Sequence, residues 1–88
     1  MYYVYVLVQE SSGNRYIGFS SDLRKRLEQH NRGRGSTYTK RGDKWQLVYY
    51  EAFVSKEDAM LRERKLKHDG RAKYQLFRRI ERSLAGQK

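Results

Sequence analysis

Seven consecutive residues, Tyr2-Tyr3-Val4-Tyr5-Val6-Leu7-Val8, carry no charge and are all aromatic, β-branched or leucine. Nowhere else in this 88-residue chain, 34% of it charged, does apolar sequence run as long. Being apolar at odd and even positions alike, the run predicts a strand covered on both faces, the centre of a sheet rather than its edge. It falls far short of the roughly 20 residues a membrane span needs. No basic segment or small-residue cleavage site accompanies it, so a cytoplasmic protein with no membrane association is expected. Cysteine is absent, which excludes disulfides, thiolate zinc sites and a cysteine nucleophile.

Beyond the run the chain is clearly punctuated. Ser11-Ser12-Gly13-Asn14 is a turn cluster, and Arg15-Tyr16-Ile17-Gly18-Phe19 returns as a second short strand, giving a hairpin. Ser20 or Ser21 is expected to cap a helix with Asp22 in its first turn, ended by Gly33 and Gly35. Residues 31–44 read as a basic loop in which Tyr38 is the one large apolar group. A third strand is expected from Trp45 to Val54. A second helix starts at Ser55-Lys56-Glu57-Asp58 and stops at Asp69-Gly70. The last runs from about Arg71 to Leu84, with Leu76, Phe77, Ile80 and Leu84 on one face. The order ββαβαα predicts an α+β fold, a small three-stranded antiparallel sheet flanked by helices. One domain over residues 1–85 is expected, with 86–88 as a frayed tail.

The formal charge of +10 is unevenly placed. Residues 1–14 hold one charge, Glu10, whereas residues 15–44 hold nine Lys or Arg against three acids and residues 45–88 eleven against six. A neutral strand followed by basic segments points to a positive surface and a polyanionic partner, nucleic acid above all. A merely soluble basic surface is the competing reading. Eleven Tyr and Phe residues argue against a disordered basic tail.

Three polar side chains fall where apolar ones belong. In the first helix Leu23 and Leu27 define the buried stripe; His30 falls on it and Arg26 at its edge. In the second, Ala59, Met60 and Leu66 mark the inner face, and Glu63 lies about 40° from Ala59, inside it. A carboxylate there costs several kcal/mol unless paired or metal-bound. The structural alternatives are a Glu63–Arg26 ion pair, a Glu63 that snorkels to an edge, and a histidine that merely satisfies the core. Tyrosines add a second anomaly. Tyr3 and Tyr5 share a face of the first strand, as Tyr16 and Gly18 do on the second, and a glycine inside a strand marks close approach by another group. Cross-strand packing would explain the rings alone. Together with Arg26, His30 and Glu63 they form a set able to activate water and to hold a phosphate with a metal.

The ordered set resembles a known family. Tyr3-Val4-Tyr5, then Tyr16-Ile17-Gly18, Ser20, Asp22-Leu23 and Arg26-Leu27 resemble the core of the GIY-YIG nucleases, with Tyr3 standing where the leading Gly is usual. His30, Tyr38-Thr39, Leu47-Val48-Tyr49-Tyr50-Glu51, Ala59, Glu63 and Lys67 extend the likeness to the short stand-alone bacterial members related to the UvrC nuclease domain, over about residues 2–77. The resemblance implies a metal-dependent endonuclease hydrolysing DNA phosphodiester bonds in repair or recombination. In it Tyr5 activates or positions water, Tyr16 is its partner, Arg26 binds phosphate, His30 assists the tyrosine and Glu63 binds one Mg²⁺ or Mn²⁺ ion. After the metal carboxylate the family often has Asn or Lys; here the stretch reads Lys73-Tyr74-Gln75, which leaves Lys73 and Gln75 as candidates.

Chemistry sharpens these expectations. A free tyrosine has a pKa near 10, so Tyr5 as base requires cations, Arg26 and a metal among them, that favour its phenolate. One carboxylate is a sparse cage for Mg²⁺, so weak metal binding without substrate is expected. Arg32, Arg34, Lys40, Arg41 and Lys44 in the loop, with Lys67, supply phosphate contacts that position a strand without reading its sequence, and binding should weaken with salt. DNA is the expected partner, with RNA left open, and the protein is expected as a monomer or weak dimer. The alternatives are a non-catalytic nucleic-acid-binding module and an accessory subunit that needs a protein partner.

Overall fold

The computed structural model describes residues 1–32 and 44–85. Strands β1 (Tyr2–Gln9), β2 (Arg15–Ser20) and β3 (Trp45–Phe53) form one antiparallel sheet in the order β2-β1-β3, so the uncharged run is indeed the central strand. Val4, Val6 and Leu7 are fully buried and Tyr5 nearly so. Gly13, at a φ of 76°, turns the hairpin in the left-handed region that glycine adopts without strain.

Helices cover the two faces unequally. Helix α1 (Leu23–Asn31) brings Leu23 and Leu27 against Tyr5, Leu7 and Trp45. On the opposite face, α2 (Lys56–His68), α3 (Gly70–Arg79) and α4 (Glu81–Ala85) pack Ala59, Leu66, Leu76 and Ile80 against Val4, Val6 and Ile17. Alternation along β1 therefore sorts its side chains: even positions to the three-helix side, odd positions to α1.

Several local expectations are corrected. Asp22, not Ser20 or Ser21, caps α1, its carboxylate accepting from the Lys25 amide at 3.1 Å. Ser20 instead braces that cap, accepting from the Asp22 amide at 3.0 Å and donating to the Asp22 carbonyl. Helix α1 has its C-cap at Arg32, and the expected stops Gly33 and Gly35 lie outside the described residues. The final helix is interrupted at buried Ile80, whose φ of −109° and ψ of 22° leave the helical region and separate α3 from α4. Asp69 ends α2 and also caps α3, accepting from the Arg71 and Ala72 amides. Strand β3 carries a bulge: Val6 faces Tyr49 while Leu7 faces Leu47, so Val48 is the extra residue and joins Tyr49 on the three-helix side.

Met60 is exposed, contrary to its expected place on the inner face of α2. Arg62 turns inward instead and binds Glu51 of β3 through two nitrogens, Nε and Nη2, each at 2.9 Å from a carboxylate oxygen. Tyr49 Oη donates to the same carboxylate at 2.5 Å. Burial alone would raise the Glu51 pKa, but the bonds from Arg62 and Tyr49 outweigh it and hold it below the usual carboxylate range. This knot fixes the rotation of α2 beside Glu63. Glu51→Ala should lower stability by about 2 kcal/mol, because it strands the half-buried guanidinium of Arg62. A denaturation midpoint unchanged from wild type would refute that.

Candidate active site

Gly18 sits directly opposite Tyr5 across β1 and β2. Without a side chain it leaves space for the Tyr5 ring to lie over β2: a Cβ at residue 18 would come within 3.0 Å of Tyr5 Cζ and Oη and of Tyr16 Cε2. The Tyr5 hydroxyl reaches His30 Nε2 at 2.9 Å, with each of the two residues only 1% exposed. His30 is brought there by the α1 stripe, and its ring stands edge-on to Tyr16 at 4.9 Å between centroids. Tyr5 and Tyr16 lie 6.3 Å apart at a tilt of 41°.

Electrostatics ties the remaining candidates to this pair. Burial first, and Tyr16 next, push the Tyr5 hydroxyl well above its ordinary pKa; Arg26 opposes them and Glu63 adds to the rise. Arg26 lowers the Tyr5 pKa, but without a metal its field does not outweigh burial. His30 is pushed below the ordinary histidine value, by burial first and then by Arg26. It is therefore a neutral imidazole at neutral pH, a form that accepts through one nitrogen and donates through the other.

Glu63 does not pair with Arg26, the ion pair that was one structural alternative. Its carboxylate meets Lys67 Nζ at 3.1 Å, one turn further along α2, and stays partly exposed. Lys67 Nζ also lies 5.8 Å above the Tyr16 ring, so α2 reaches over the open edge of β2 toward the tyrosines. Of the two candidates after the carboxylate, Lys73 lines a cleft with Tyr16 and Lys67, whereas Gln75 is exposed. Among the described residues no group of three or more His, Asp or Glu gathers around Glu63 or anywhere else. The donor set is one hard carboxylate, which suits a single oxygen-seeking divalent ion that keeps most of its waters or takes substrate oxygens.

The other sequence candidates divide. Tyr5, Tyr16 and His30 are in mutual contact, and Arg26 and Glu63 lie within electrostatic reach of Tyr5. Val4 and Ile17 belong to the core on the far face, and Tyr3 packs edge-on against Tyr50 at 5.9 Å. Arg32 and Lys44 are exposed at the ends of the basic loop, while Arg34, Lys40 and Arg41 lie outside the described residues. Sequence reasoning does not find Asn31. Its amide accepts from the Trp45 backbone N–H at 2.8 Å and donates to the Trp45 carbonyl at 3.2 Å, clamping the start of β3 to α1 and seating Trp45 beside Tyr16. An asparagine at the end of a helix reads as an ordinary turn residue, so no sequence signal points to it.

A family model for the GIY-YIG catalytic domain matches residues 1–75. A UPF0213 protein of Streptococcus pneumoniae serotype 4 is 41% identical over 75 residues, 85% of this chain and 75% of its own. Another, from Staphylococcus saprophyticus, is 40% identical over 72 residues, 82% of this chain and 87% of its own. The solution NMR structure of the UPF0213 protein BH0048 from Bacillus halodurans superposes with a TM-score of 0.52 at 40% identity, over 86% of this chain and 82% of that one.

Proposed function

Because this chain belongs to the GIY-YIG family, we propose that it is a divalent-metal-dependent endonuclease that hydrolyses DNA phosphodiester bonds at the Tyr5–His30 centre. The observation that carries the reading is the buried 2.9 Å bond between Tyr5 Oη and a neutral His30, set under Arg26 and Glu63. A tyrosine with a raised pKa is a poor free base. As a relay it needs no free phenolate: it hands its own proton to His30 Nε2 while taking one from the attacking water. Arg26, permanently charged, holds a non-bridging phosphate oxygen and gains strength as negative charge builds there. Tyr16 walls the centre and fixes the His30 ring. Glu63 would hold the ion, which when bound supplies Lewis-acid stabilisation of the phosphate and leaving oxygen. Before that Glu63 must release Lys67, whose ammonium is then available to the substrate.

Nicking of supercoiled plasmid with Mg²⁺, Mn²⁺ or EDTA tests the proposal. Nicking should require metal and stop in EDTA. Loss of even an outer-shell partner of a metal ligand lowers metal affinity by about 10- to 100-fold, and loss of the ligand itself should cost at least as much. Glu63→Gln should therefore be nearly inactive at low metal and recover as metal is raised, while binding DNA in EDTA like wild type. Salt-sensitive binding without nicking at any metal concentration would replace the enzyme with a binding module. Weak metal affinity of the free protein, seen by calorimetry, is part of the same expectation.

A further inference from the structure

Two grooves meet along the edge of β2. The smaller, about 240 Å³, is lined by Tyr16, Lys67 and Lys73 and opens from the candidate site. The larger, about 450 Å³, continues between the hairpin turn and α3–α4. Arg15 and Phe77 line both, so the two form one track. Its far half uses Phe77, Arg78 and Leu84, beyond the segment that matches the family.

The chemistry of the far half is specific. The Arg15 guanidinium lies 4.8 Å above the Phe77 ring. The Arg78 guanidinium lies 5.9 Å over the Tyr74 ring and donates to its hydroxyl at 3.2 Å, while Tyr74 is 61% exposed. Charged groups along the track are Arg15, Lys67, Lys73 and Arg78 against Glu81 alone. Cations that alternate with flat rings fit a strand that offers phosphates and base faces together. An acidic peptide would match the charge and leave the rings unused. A paired duplex hides its base faces in the stack, so only unpaired nucleotides can occupy Tyr74. The larger groove is within the range of volumes, about 300–1,000 Å³, that take small organic groups.

We propose that this track is a nucleotide-stacking subsite: it seats an unpaired base on Tyr74 and its phosphates on Arg15, Lys73 and Arg78, next to the bond cleaved at Tyr5. The inference rests on the nuclease reading and gives it a substrate class, a strand with unpaired residues flanking the cut. The test is anisotropy in EDTA, so that cleavage plays no part, with a blunt duplex and the same duplex bearing a short unpaired tail of DNA or of RNA. Wild type should bind the tailed duplex about tenfold tighter, in keeping with the stacking of one base on an aromatic ring. Tyr74→Ala should abolish that preference and Tyr74→Phe retain it, because the ring and not its hydroxyl does the stacking. A 2-aminopurine in the tail should be quenched by wild type and Tyr74→Phe but not by Tyr74→Ala. The DNA and RNA tails distinguish which strand the track accepts. Equal binding of blunt and tailed duplexes overturns the subsite and leaves the nuclease intact, as does an equal loss for both in Tyr74→Ala. Failure to bind any nucleic acid overturns both.

Discussion

Tyr5→Phe should lower the rate of plasmid nicking about a thousandfold while affinity for uncut DNA in EDTA stays within twofold. The size comes from the range for a positioned proton-transfer group, about 10²–10⁴. The substitution removes one oxygen and leaves the ring, so packing against Leu7 and Trp45 persists. Losing the bond to His30 should cost about 1 kcal/mol of stability. Raising the metal concentration should restore nothing, which separates this variant from Glu63→Gln. The relay also fixes a pH dependence. His30 must be neutral to accept the proton, and its pKa is depressed below 6.5 by burial and Arg26. The acid limb of the rate profile should therefore lie below pH 6.5, with a plateau above. Stability has the same sign: between the folded pKa and 6.5 the unfolded chain binds more protons, so the fold loses stability as pH falls through that window. A Tyr5→Phe enzyme that keeps a tenth of the wild-type rate would remove the relay.

Where the sequence is legible, local periodicity meets a single physical demand. Tyr2 to Val8 could only be a strand buried on both faces, and β1 is that strand. His30 and Glu63 are visible as polar groups on apolar stripes, and both lie at the Tyr5 end of the site rather than in the bulk of the core. What escapes depends on partners remote in sequence. Arg62 and Met60 are equally plausible on an inner helical face until Glu51 arrives from β3 to claim the arginine. The break at Ile80 leaves the i, i+4 spacing of Leu76, Ile80 and Leu84 intact, and amide bonds of that spacing persist on either side, so the apolar pattern cannot reveal it. Ser20, Ser21 and Asp22 are all competent caps, and the pattern cannot choose among neighbours. The burial that raises the Tyr5 pKa is likewise built by elements remote in sequence, so no local pattern shows it.

Gly18→Ala should be the most damaging methyl addition at any glycine among the described residues. The added Cβ would enter the space occupied by Tyr5 Cζ and Oη and the Tyr16 ring edge. Neither β1 nor the ring can yield easily, since Tyr5 is 1% exposed and β1 is held by a strand on each side. Overpacking of this kind costs about 2 kcal/mol, and the ring must swing its hydroxyl away from His30. A displacement of about 1 Å at a reacting group is enough for a hundredfold loss of rate. Thermal melting and nicking, measured together, should show both effects, with DNA affinity in EDTA little changed. Combining the change with Tyr5→Phe separates damage to the relay from damage to the fold. If the methyl acts by displacing the Tyr5 hydroxyl, then once that hydroxyl is gone Gly18→Ala should slow nicking by less than about threefold more. Penalties that multiply in the double variant would mean that Gly18 serves the sheet alone, and that Tyr5 keeps its place without it.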